Sequence, residues 1–448
     1  MSRIGLIGEN SIEYVSHLLD VWNAGDSVVL IDWRIPADSA AWMLKEAGAE
    51  YCLIDSRYRE RFTDRHCESI CFRTYTVTEL LPGVLPEWVY EKYVPSYTED
   101  EAVILYSSGT TGKSKGIILS HYAISTNADA IIDYMKPEKE DCIYLVKSLT
   151  HSSTLVGEML VALKAGVRLL IANTVVPPRV VFRNIERFQV SILCVNPTLL
   201  QLYMEEVNRL MVELDSLKII YVSGAVLSET ICEKARETFQ GVEVYNIYGL
   251  TEAGPRVAAQ RRECCNGNSV GRPIAGVEVV IVNEENELAA VRERGLVHIR
   301  TQSRCSGYVT GEEKQPSLYK DWMNTGDIGY LDEHGELHIC GRMDDMIIVD
   351  AHKIYPAQVE EHIRQISGVR DCVVTGIPSE QRTVLGCLYT GQQEIRLEDK
   401  KLLQKILPLY EIPQCYVRVD ELPRTNNGKV SRREALQVML DKMKGGTK

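Results

Sequence analysis

The sequence predicts an α/β protein with a large N-terminal domain and a small α+β C-terminal domain, and three observations support this fold class. Short apolar runs alternate with helical patterns through most of the chain, as at residues 4–7, 12–23 and 28–31. Such alternation is typical of parallel sheets covered by helices. After about Val270 the pattern changes to short strands with Gly-rich turns. A unit of roughly 100 residues, a common size for a small domain, begins near Asp345.

Each predicted element follows from its local pattern. The first strands are apolar runs at 4–7, 28–31 and 51–54, separated by amphipathic stretches at 12–23 and 38–47. Similar alternation recurs at 161–172, 190–195, 218–222 and 242–247, and the β-rich section covers 271–283, 295–300 and 326–341. The C-terminal unit combines strands at 347–349 and 371–375 with helices at 356–365 and 397–407.

Composition limits the classes of function and the cellular location. The 448 residues are 45% hydrophobic and 25% charged, as is ordinary for a globular protein, and their net charge of −12 disfavours binding to nucleic acid or to anionic membranes. The 13 cysteines include no CxxC pair, and His66, Cys67 and Cys71 lack the four closely spaced ligands of a structural zinc site. Reduced thiols, a short N-terminal apolar run and the absence of an apolar stretch of ~20 residues predict a cytoplasmic protein.

A polar loop after the apolar run 102–106 is the strongest functional signal. Its residues are Ser107, Ser108, Gly109, Thr110, Thr111, Gly112, Lys113, Ser114, Lys115 and Gly116. Small residues let the backbone approach a polyphosphate, while hydroxyl groups, N–H groups and lysines bind its oxygens. Two other interpretations are a flexible surface loop and a P-loop phosphotransferase. The P-loop needs Gly in place of Ser107 and a helix directly after the loop, whereas residues 117–119 are β-like.

This loop, with Tyr106 before it, resembles the signature of the adenylate-forming superfamily, which holds acyl- and aryl-CoA ligases, nonribosomal adenylation domains and luciferase. The resemblance extends over essentially the whole chain. It implies a large domain of stacked mixed sheets at residues 1–343 and a small mobile domain at 344–448. It also implies Mg²⁺- and ATP-dependent activation of a carboxylic acid to an acyl-adenylate, with release of pyrophosphate. The acyl group would then pass to a thiol of coenzyme A or of a carrier-protein phosphopantetheine.

Further motifs occur in the order that the family shows, and the resemblance assigns them roles. Ser223, Gly224 and Ala225 match an adenine-contacting turn, and Asn246, Tyr248 and Gly249 belong to a second nucleotide-binding segment. In that segment the Tyr248 ring would stack on adenine, Thr251 would hold the α-phosphate, and Glu252 would bind Mg²⁺. Downstream, the matching residues are Asp327 for ribose, Arg342 for ribose or phosphate, Asp344 for the hinge and Lys429 for the catalytic lysine.

The acid and the acceptor are less closely specified. His151, Ser152 and Ile247 match positions that line the family's acid pocket, and Ser152 stands where domains for α-amino acids usually place Asp. The resemblance therefore implies an aryl or a short-to-medium acyl acid. Ala351, next to His352 in the acceptor-thiol region, stands where the family commonly has Gly. Since alanine is more strained than glycine at positive φ, either this backbone is unstrained or the thiol tunnel is altered.

Two alternatives to acyl transfer to a thiol remain open. One is an enzyme that makes only the adenylate, or that uses an unusual acceptor. The other is a non-catalytic nucleotide-binding protein of the same fold. The joint presence of Glu252, Asp327, Arg342 and Lys429 argues against the second, because a binding protein has no chemical need for all four.

Overall fold

The computed structural model describes residues 1–63, 66, 70–78, 82–107, 114–172, 176–210, 214–265, 267–311, 321–350, 352–378, 383–424 and 430–445. Some of the predicted site residues lie outside these ranges: Ser108, Gly109, Thr110, Thr111, Gly112, Lys113, Ala351 and Lys429.

The first third of the chain forms most of a seven-stranded sheet. Its elements are β1 (Arg3–Gly8), α1 (Ile12–Asn23), β2 (Ser27–Asp32), α2 (Ala37–Glu46), β3 (Tyr51–Asp55), a 3-10 helix (Ser56–Arg61), β4 (Cys71–Tyr75), β5 (Gly83–Val84), α3 (Glu87–Tyr90), β6 (Glu101–Ser107), β7 (Lys115–Ser120) and α4 (His121–Met135). The strands β4, β3, β1, β2 and β6 are parallel, and β7 adds an antiparallel strand beyond β6.

The middle of the chain forms an eight-stranded sheet. Its elements are β8 (Cys142–Leu145), α5 (Ser152–Thr154), a π-helix (Leu155–Leu160), α6 (Val161–Ala165), β9 (Arg168–Ile171), α7 (Pro178–Phe188), β10 (Ile192–Val195), α8 (Pro197–Leu210), β11 (Ile219–Val222), α9 (Glu229–Thr238), β12 (Glu243–Gly249), a 3-10 helix (Thr251–Ala253), β13 (Arg256–Ala259) and β14 (Arg272–Pro273). The strands from β8 to β12 are parallel, and β13, β14 and β5 run antiparallel to their neighbours.

The largest buried cluster lies between these two sheets. It contains Leu6 from β1, Leu105 from β6, Leu145 from β8 and Ile192 from β10. Serine side chains fix where several covering helices begin, because each accepts a hydrogen bond from a backbone N–H of the first turn, as Ser11 does from Tyr14. The two sheets therefore share one layer of buried side chains, and the serine caps fix where the covering helices begin.

The β-rich section is an antiparallel four-stranded sheet, with one strand added to the first sheet. Its elements are β15 (Val277–Val282), β16 (Gly295–Thr301), β17 (Gly307–Tyr308), β18 (Met323–Leu331), β19 (Leu337–Arg342) and a 3-10 helix (Met343–Asp345). The strands β15, β16, β18 and β19 pair in that order, whereas β17 pairs with β7 of the seven-stranded sheet. This return of β17 places Tyr308 opposite Ile117, two residues after Lys115 at the end of the predicted phosphate loop.

The C-terminal unit is small and of mixed α and β structure. Its elements are β20 (Ile347–Val349), β21 (His352–Ile354), α10 (Pro356–Arg364), β22 (Val369–Pro378), β23 (Thr383–Gly391), α11 (Leu397–Ile406), a 3-10 helix (Leu409–Glu411), β24 (Cys415–Arg418) and α12 (Arg432–Gly445). It contacts the second sheet's helices through hydrogen bonds from Thr230 Oγ1 to Glu361 (2.9 Å) and from Arg424 to Thr198 (2.6 Å). The predicted α/β fold class is confirmed by this architecture. Among the described residues, no helix is long and apolar enough to cross a membrane.

Candidate active site

The predicted phosphate loop connects two paired strands. Ser107 ends β6 and Lys115 begins β7, and the two residues face each other in the antiparallel register. The chain after the loop is therefore a strand, as its sequence predicts, and not the helix that a P-loop requires. The Lys115 ammonium lies 5.4 Å from the centre of the Tyr308 ring, so the loop's second lysine is held beside β17.

Thr251 and Glu252 lie on the 3-10 helix directly after β12, and both are held by side-chain contacts. The Tyr308 hydroxyl donates a hydrogen bond to Glu252 Oε1 (3.0 Å), and the Thr251 and Ser152 hydroxyl oxygens are 3.0 Å apart. Burial and the Glu252 carboxylate both raise the pKa of the Tyr308 hydroxyl, so it stays a proton donor at neutral pH. Tyr308 therefore links two of the predicted motifs, Lys115 and Glu252.

Tyr248, Asp327 and Arg342 form a second group of contacts. The Tyr248 hydroxyl donates to Asp327 Oδ2, and Arg342 Nη1 lies 3.5 Å from Asp327 Oδ1. The strands bring these residues together, since Asp327 on β18 faces Arg342 on β19 in the antiparallel register. Burial and the Asp327 carboxylate both raise the pKa of the Tyr248 hydroxyl. Three motifs that are far apart in sequence thus meet at one place.

The predicted adenine-contacting turn lies at the edge of the second sheet where its parallel strands end. Ser223, Gly224 and Ala225 follow β11, and Asn246 lies in the neighbouring β12. Ligands of open α/β sheets commonly bind at this edge. The Asn246 amide nitrogen already donates to the carbonyl groups of Asn268 and Ser269 (3.1 Å each), so this side chain also anchors the chain before β14.

The predicted acid-pocket residues surround the start of α5. Asn10 fixes the preceding loop, because its amide nitrogen donates to the Lys147 carbonyl (2.7 Å) and its amide oxygen accepts from Leu149 N (3.0 Å). His151 precedes α5, and Ser152 is buried against Thr251. Ile247 is also buried, in the strand β12 that leads to Thr251. These contacts join the pocket residues to the nucleotide motif.

The predicted hinge residue lies just before the C-terminal unit, and the predicted acceptor residue His352 lies within it. Asp344 belongs to the 3-10 helix after β19, and His352 begins β21 with its ring stacked on Tyr410 at 3.8 Å between ring centres. The described residue with positive φ in this turn is Asp350, at 48°. Ala351, which stands where the family commonly has Gly, lies outside the described residues.

Two buried charged residues, Glu158 and Arg256, and the partly buried Lys147 were not predicted. Lys147 Nζ lies 3.0 Å from Glu158 Oε1, and Arg256 is 3% exposed on β13. Burial raises the pKa of Glu158, although the charges of Lys147 and Arg256 oppose this shift. A signal was present in the sequence, because Lys147 ends an apolar run and Glu158 interrupts an apolar helix. Tyr308 carried no comparable signal.

The donor set suits one kind of metal site. In the part of the chain that the structure describes, no group of three or more His, Cys, Asp or Glu side chains could enclose an ion. Mg²⁺, however, usually takes only one or two protein carboxylates and completes its shell with phosphate oxygens and water. A single carboxylate beside a phosphate loop, as Glu252 offers, fits that requirement.

Comparison with known proteins agrees with this site. The chain is 25% identical over 449 residues to 2-succinylbenzoate–CoA ligase of Geobacillus sp. (strain WCH70), covering 99% of this chain and 88% of that protein. The fold matches the anthranilate CoA ligase AuaEII in complex with anthranoyl-AMP, with a TM-score of 0.86, 20% identity and coverage of 98% and 87%. It also matches o-succinylbenzoate coenzyme A synthetase of Bacillus subtilis in complex with ATP and magnesium ion, with a TM-score of 0.81, 22% identity and coverage of 97% and 89%.

The sequence model of one protein family matches more than half of the chain. It is described as AMP-binding enzyme, and it matches residues 1–309. This match confirms the resemblance on which the sequence-based hypothesis of an adenylate-forming ligase depends. The chain therefore belongs to the AMP-binding enzyme family.

Proposed function

We propose that this enzyme activates a carboxylic acid with ATP, forming an acyl-adenylate and pyrophosphate, and then transfers the acyl group to a thiol. The observation that carries the proposal is the meeting of separate motifs. Tyr308 joins Lys115 to Glu252, and Tyr248 joins the end of β12 to Asp327 and Arg342. Neither a flexible surface loop nor a P-loop phosphotransferase would require these contacts.

In the proposed first step, a substrate carboxylate oxygen attacks the α-phosphorus of ATP. A P–O bond forms, the bond to the oxygen bridging the α- and β-phosphates breaks, and the electron pair leaves with pyrophosphate. Because a carboxylate is a weak nucleophile, catalysis is mainly positioning and charge neutralisation. Lys429 would bridge the substrate carboxylate and the α-phosphate, Thr251 would bind the α-phosphate, and Ser107 with Lys115 would hold the pyrophosphate side.

The proposed nucleoside contacts use the second group of residues. Tyr248 would stack on adenine near Ser223, Gly224 and Ala225, while Asp327 would accept hydrogen bonds from the ribose hydroxyls. Arg342, 3.5 Å from Asp327, would balance its charge and reach ribose or phosphate. Glu252 would hold Mg²⁺, which when bound neutralises phosphate charge.

In the proposed second step, a thiol sulfur attacks the acyl carbon, the bond from that carbon to the AMP oxygen breaks, and the thiol proton is lost to solvent. Coenzyme A is the favoured acceptor, because relatives of the chain are named CoA ligases. A carrier-protein phosphopantetheine is the second candidate. We propose that residues 344–448 move about Asp344 between the two steps, with His352 near the thiol.

For the acid, the proposal is an aryl or a short-to-medium acyl compound. Ser152 is buried and its hydroxyl contacts Thr251, so this position offers no negative charge to an α-ammonium group. The named substrate of one relative, 2-succinylbenzoate, is an aryl acid.

The proposal is tested by acid-dependent exchange of labelled pyrophosphate into ATP, across a panel of carboxylic acids, with wild type and Lys429→Ala. Loss of a cationic contact to the transition state predicts a fall of about 10³-fold in exchange, with an unchanged unfolding midpoint. Lys401→Ala is the matched control, since Lys401 is an exposed lysine of the same unit, on α11. Equal exchange in Lys429→Ala and wild type would contradict the assigned mechanism.

A further inference from the structure

Three charged side chains, Lys147, Glu158 and Arg256, lie close together beside the second sheet. Successive side chains of a strand point to opposite faces, so every second residue shares a face. Ile143, Leu145 and Lys147 are every second residue along β8 and the two residues that follow it, and they therefore share one face. Ile143 and Leu145 pack in the core between the two sheets, so Lys147 points toward that core. Its ammonium pairs with Glu158, which is fully buried.

The third charged side chain, Arg256, reaches the same place from β13. A Cβ atom on Gly157 would lie 2.8 Å from Arg256 Nη2, so the guanidinium packs directly against the helical turn that carries Glu158. The lack of a side chain at Gly157 is what allows this approach. Burial raises the pKa of the nearby Cys194 thiol on β10, the Glu158 charge raises it further, and the charges of Lys147 and Arg256 oppose the shift. The three charged groups therefore form one cluster.

Polar atoms of this cluster are buried with incomplete hydrogen bonding. In the described part of the chain, Arg256 Nε and Glu158 Oε2 have no well-aligned hydrogen-bond partner, although the Tyr134 hydroxyl lies beside Arg256 and the Thr154 hydroxyl lies beside Glu158. Leaving such a group unpaired costs free energy, and most of all when the group is charged. The unpaired Nε–H of the buried Arg256 therefore indicates a ligand that completes it.

The cluster is connected along the chain to residues of the proposed adenylation site. Arg256 comes five residues after Thr251, and Glu158 comes six residues after Ser152 along one helical stretch. The Ser152 and Thr251 hydroxyl groups are in contact at 3.0 Å. Glu158 therefore lies more than one helical turn beyond Ser152 on this stretch. An acid bound with its reacting carboxylate near Thr251 would direct its far end at this cluster.

We propose that the cluster of Lys147, Glu158 and Arg256 binds a second carboxylate at the distal end of the substrate, so that the enzyme's substrates are dicarboxylic acids. Lys147 and Arg256 carry two positive charges, whereas Glu158 supplies one carboxylate. A second carboxylate, from the substrate, would make the cluster neutral. A guanidinium matches a carboxylate with paired N–H···O bonds, and burial makes such a contact strong. This inference rests on the proposed adenylation function and names the class of acid for the same site.

The test compares matched acids in the pyrophosphate-exchange assay: succinate with butyrate, glutarate with pentanoate, and phthalate with benzoate. We expect kcat/KM for at least one dicarboxylate to exceed that of its monocarboxylate partner by about 100-fold, as desolvated ion pairs provide. In Lys147→Met this ratio should fall by at least 10-fold through a rise in KM for the dicarboxylate, and Lys147→Arg should retain it. Lys139→Met, an exposed lysine before β8, is the matched control.

The outcomes separate this inference from the proposed function. Exchange that favours every monocarboxylate over its dicarboxylate partner would overturn the inference and leave adenylation intact. An equal loss for both acids in Lys147→Met, together with a lower unfolding temperature, would show a purely structural ion pair and would also overturn it. If no acid of any kind supports exchange, the proposed function fails, and the inference fails with it.

Discussion

Replacing Arg432 with methionine should destabilise the C-terminal unit, because this arginine neutralises a buried carboxylate. Glu360 on α10 is 4% exposed and accepts hydrogen bonds from both Arg432 terminal nitrogens, with Nη2 at 3.2 Å, and from Val374 N at 2.8 Å. Arg364 Nη2 lies 3.6 Å away and remains in the variant. Breaking a buried pair typically costs 3–5 kcal/mol, so with Arg364 still present we expect about 3 kcal/mol.

The assay must report on the C-terminal unit alone. All five tryptophans precede residue 323, so their fluorescence does not monitor this unit. Hydrogen exchange of the amides in β22 and α12 does, since local opening free energies can be measured segment by segment. Arg433→Met is the matched control, because Arg433 is the exposed neighbour on the same helix. If Arg432→Met lowers the opening free energy of these amides by less than about 1 kcal/mol, the reasoning is refuted.

The same pair makes the stability of this unit depend on pH. Burial by itself raises the pKa of Glu360, but the charges of Arg432 and Arg364 outweigh it and the net pKa is lowered. A lowered folded-state pKa contributes stability that is complete above the unfolded value of about 4.3 and is lost as the pH falls through the folded value. The difference between wild type and Arg432→Met should therefore shrink as the pH falls below about 4.

Three further substitutions test the site. Tyr308→Phe removes the 3.0 Å hydrogen bond to Glu252 and should raise the Mg²⁺ concentration needed for half-maximal exchange by about 5-fold; an unchanged Mg²⁺ dependence would count against Glu252 as the metal ligand. Asp327→Asn should weaken ATP binding by about 10-fold or more in calorimetry, with ATP affinity equal to wild type as the contrary result. Gly249→Ala places a Cβ atom 2.1 Å from a backbone oxygen, so exchange should be lost while the circular dichroism spectrum is retained; full activity would show that the turn after β12 can shift freely.

Sequence reasoning predicted those parts of the fold that depend on local patterns. The alternation of β1, α1 and β2 and the strand after the phosphate loop both follow from apolar periodicity, and the structure has them as predicted. The antiparallel turn-back of β13 and the joining of β17 to the first sheet were not predicted. Both depend on long-range strand pairing, and a two-residue strand such as β17 has no periodicity of its own to detect.

For the candidate site too, local motifs could be found in the sequence, whereas contacts that depend on long-range pairing could not. The resemblance assigned roles to Thr251, Glu252, Asp327 and Arg342, and the structure places Arg342 Nη1 3.5 Å from Asp327 Oδ1. Tyr308 was missed because its role depends only on where β17 returns. The cluster of Lys147, Glu158 and Arg256 was missed because charge within an apolar segment does not reveal what it will face. The roles of all the site residues, including Lys429 and the loop between Ser107 and Lys115, stay predictions.

The central claim is attack of a carboxylate oxygen on the α-phosphorus of ATP, and isotope transfer tests it most directly. The enzyme is incubated with ATP, Mg²⁺, coenzyme A and an acid labelled with ¹⁸O in its carboxylate, and the phosphorus-containing products are analysed by mass spectrometry. The proposed mechanism predicts acid-dependent formation of AMP that carries one ¹⁸O atom, with unlabelled pyrophosphate. Label in inorganic phosphate together with ADP would contradict it, since that result requires attack at the γ-phosphorus.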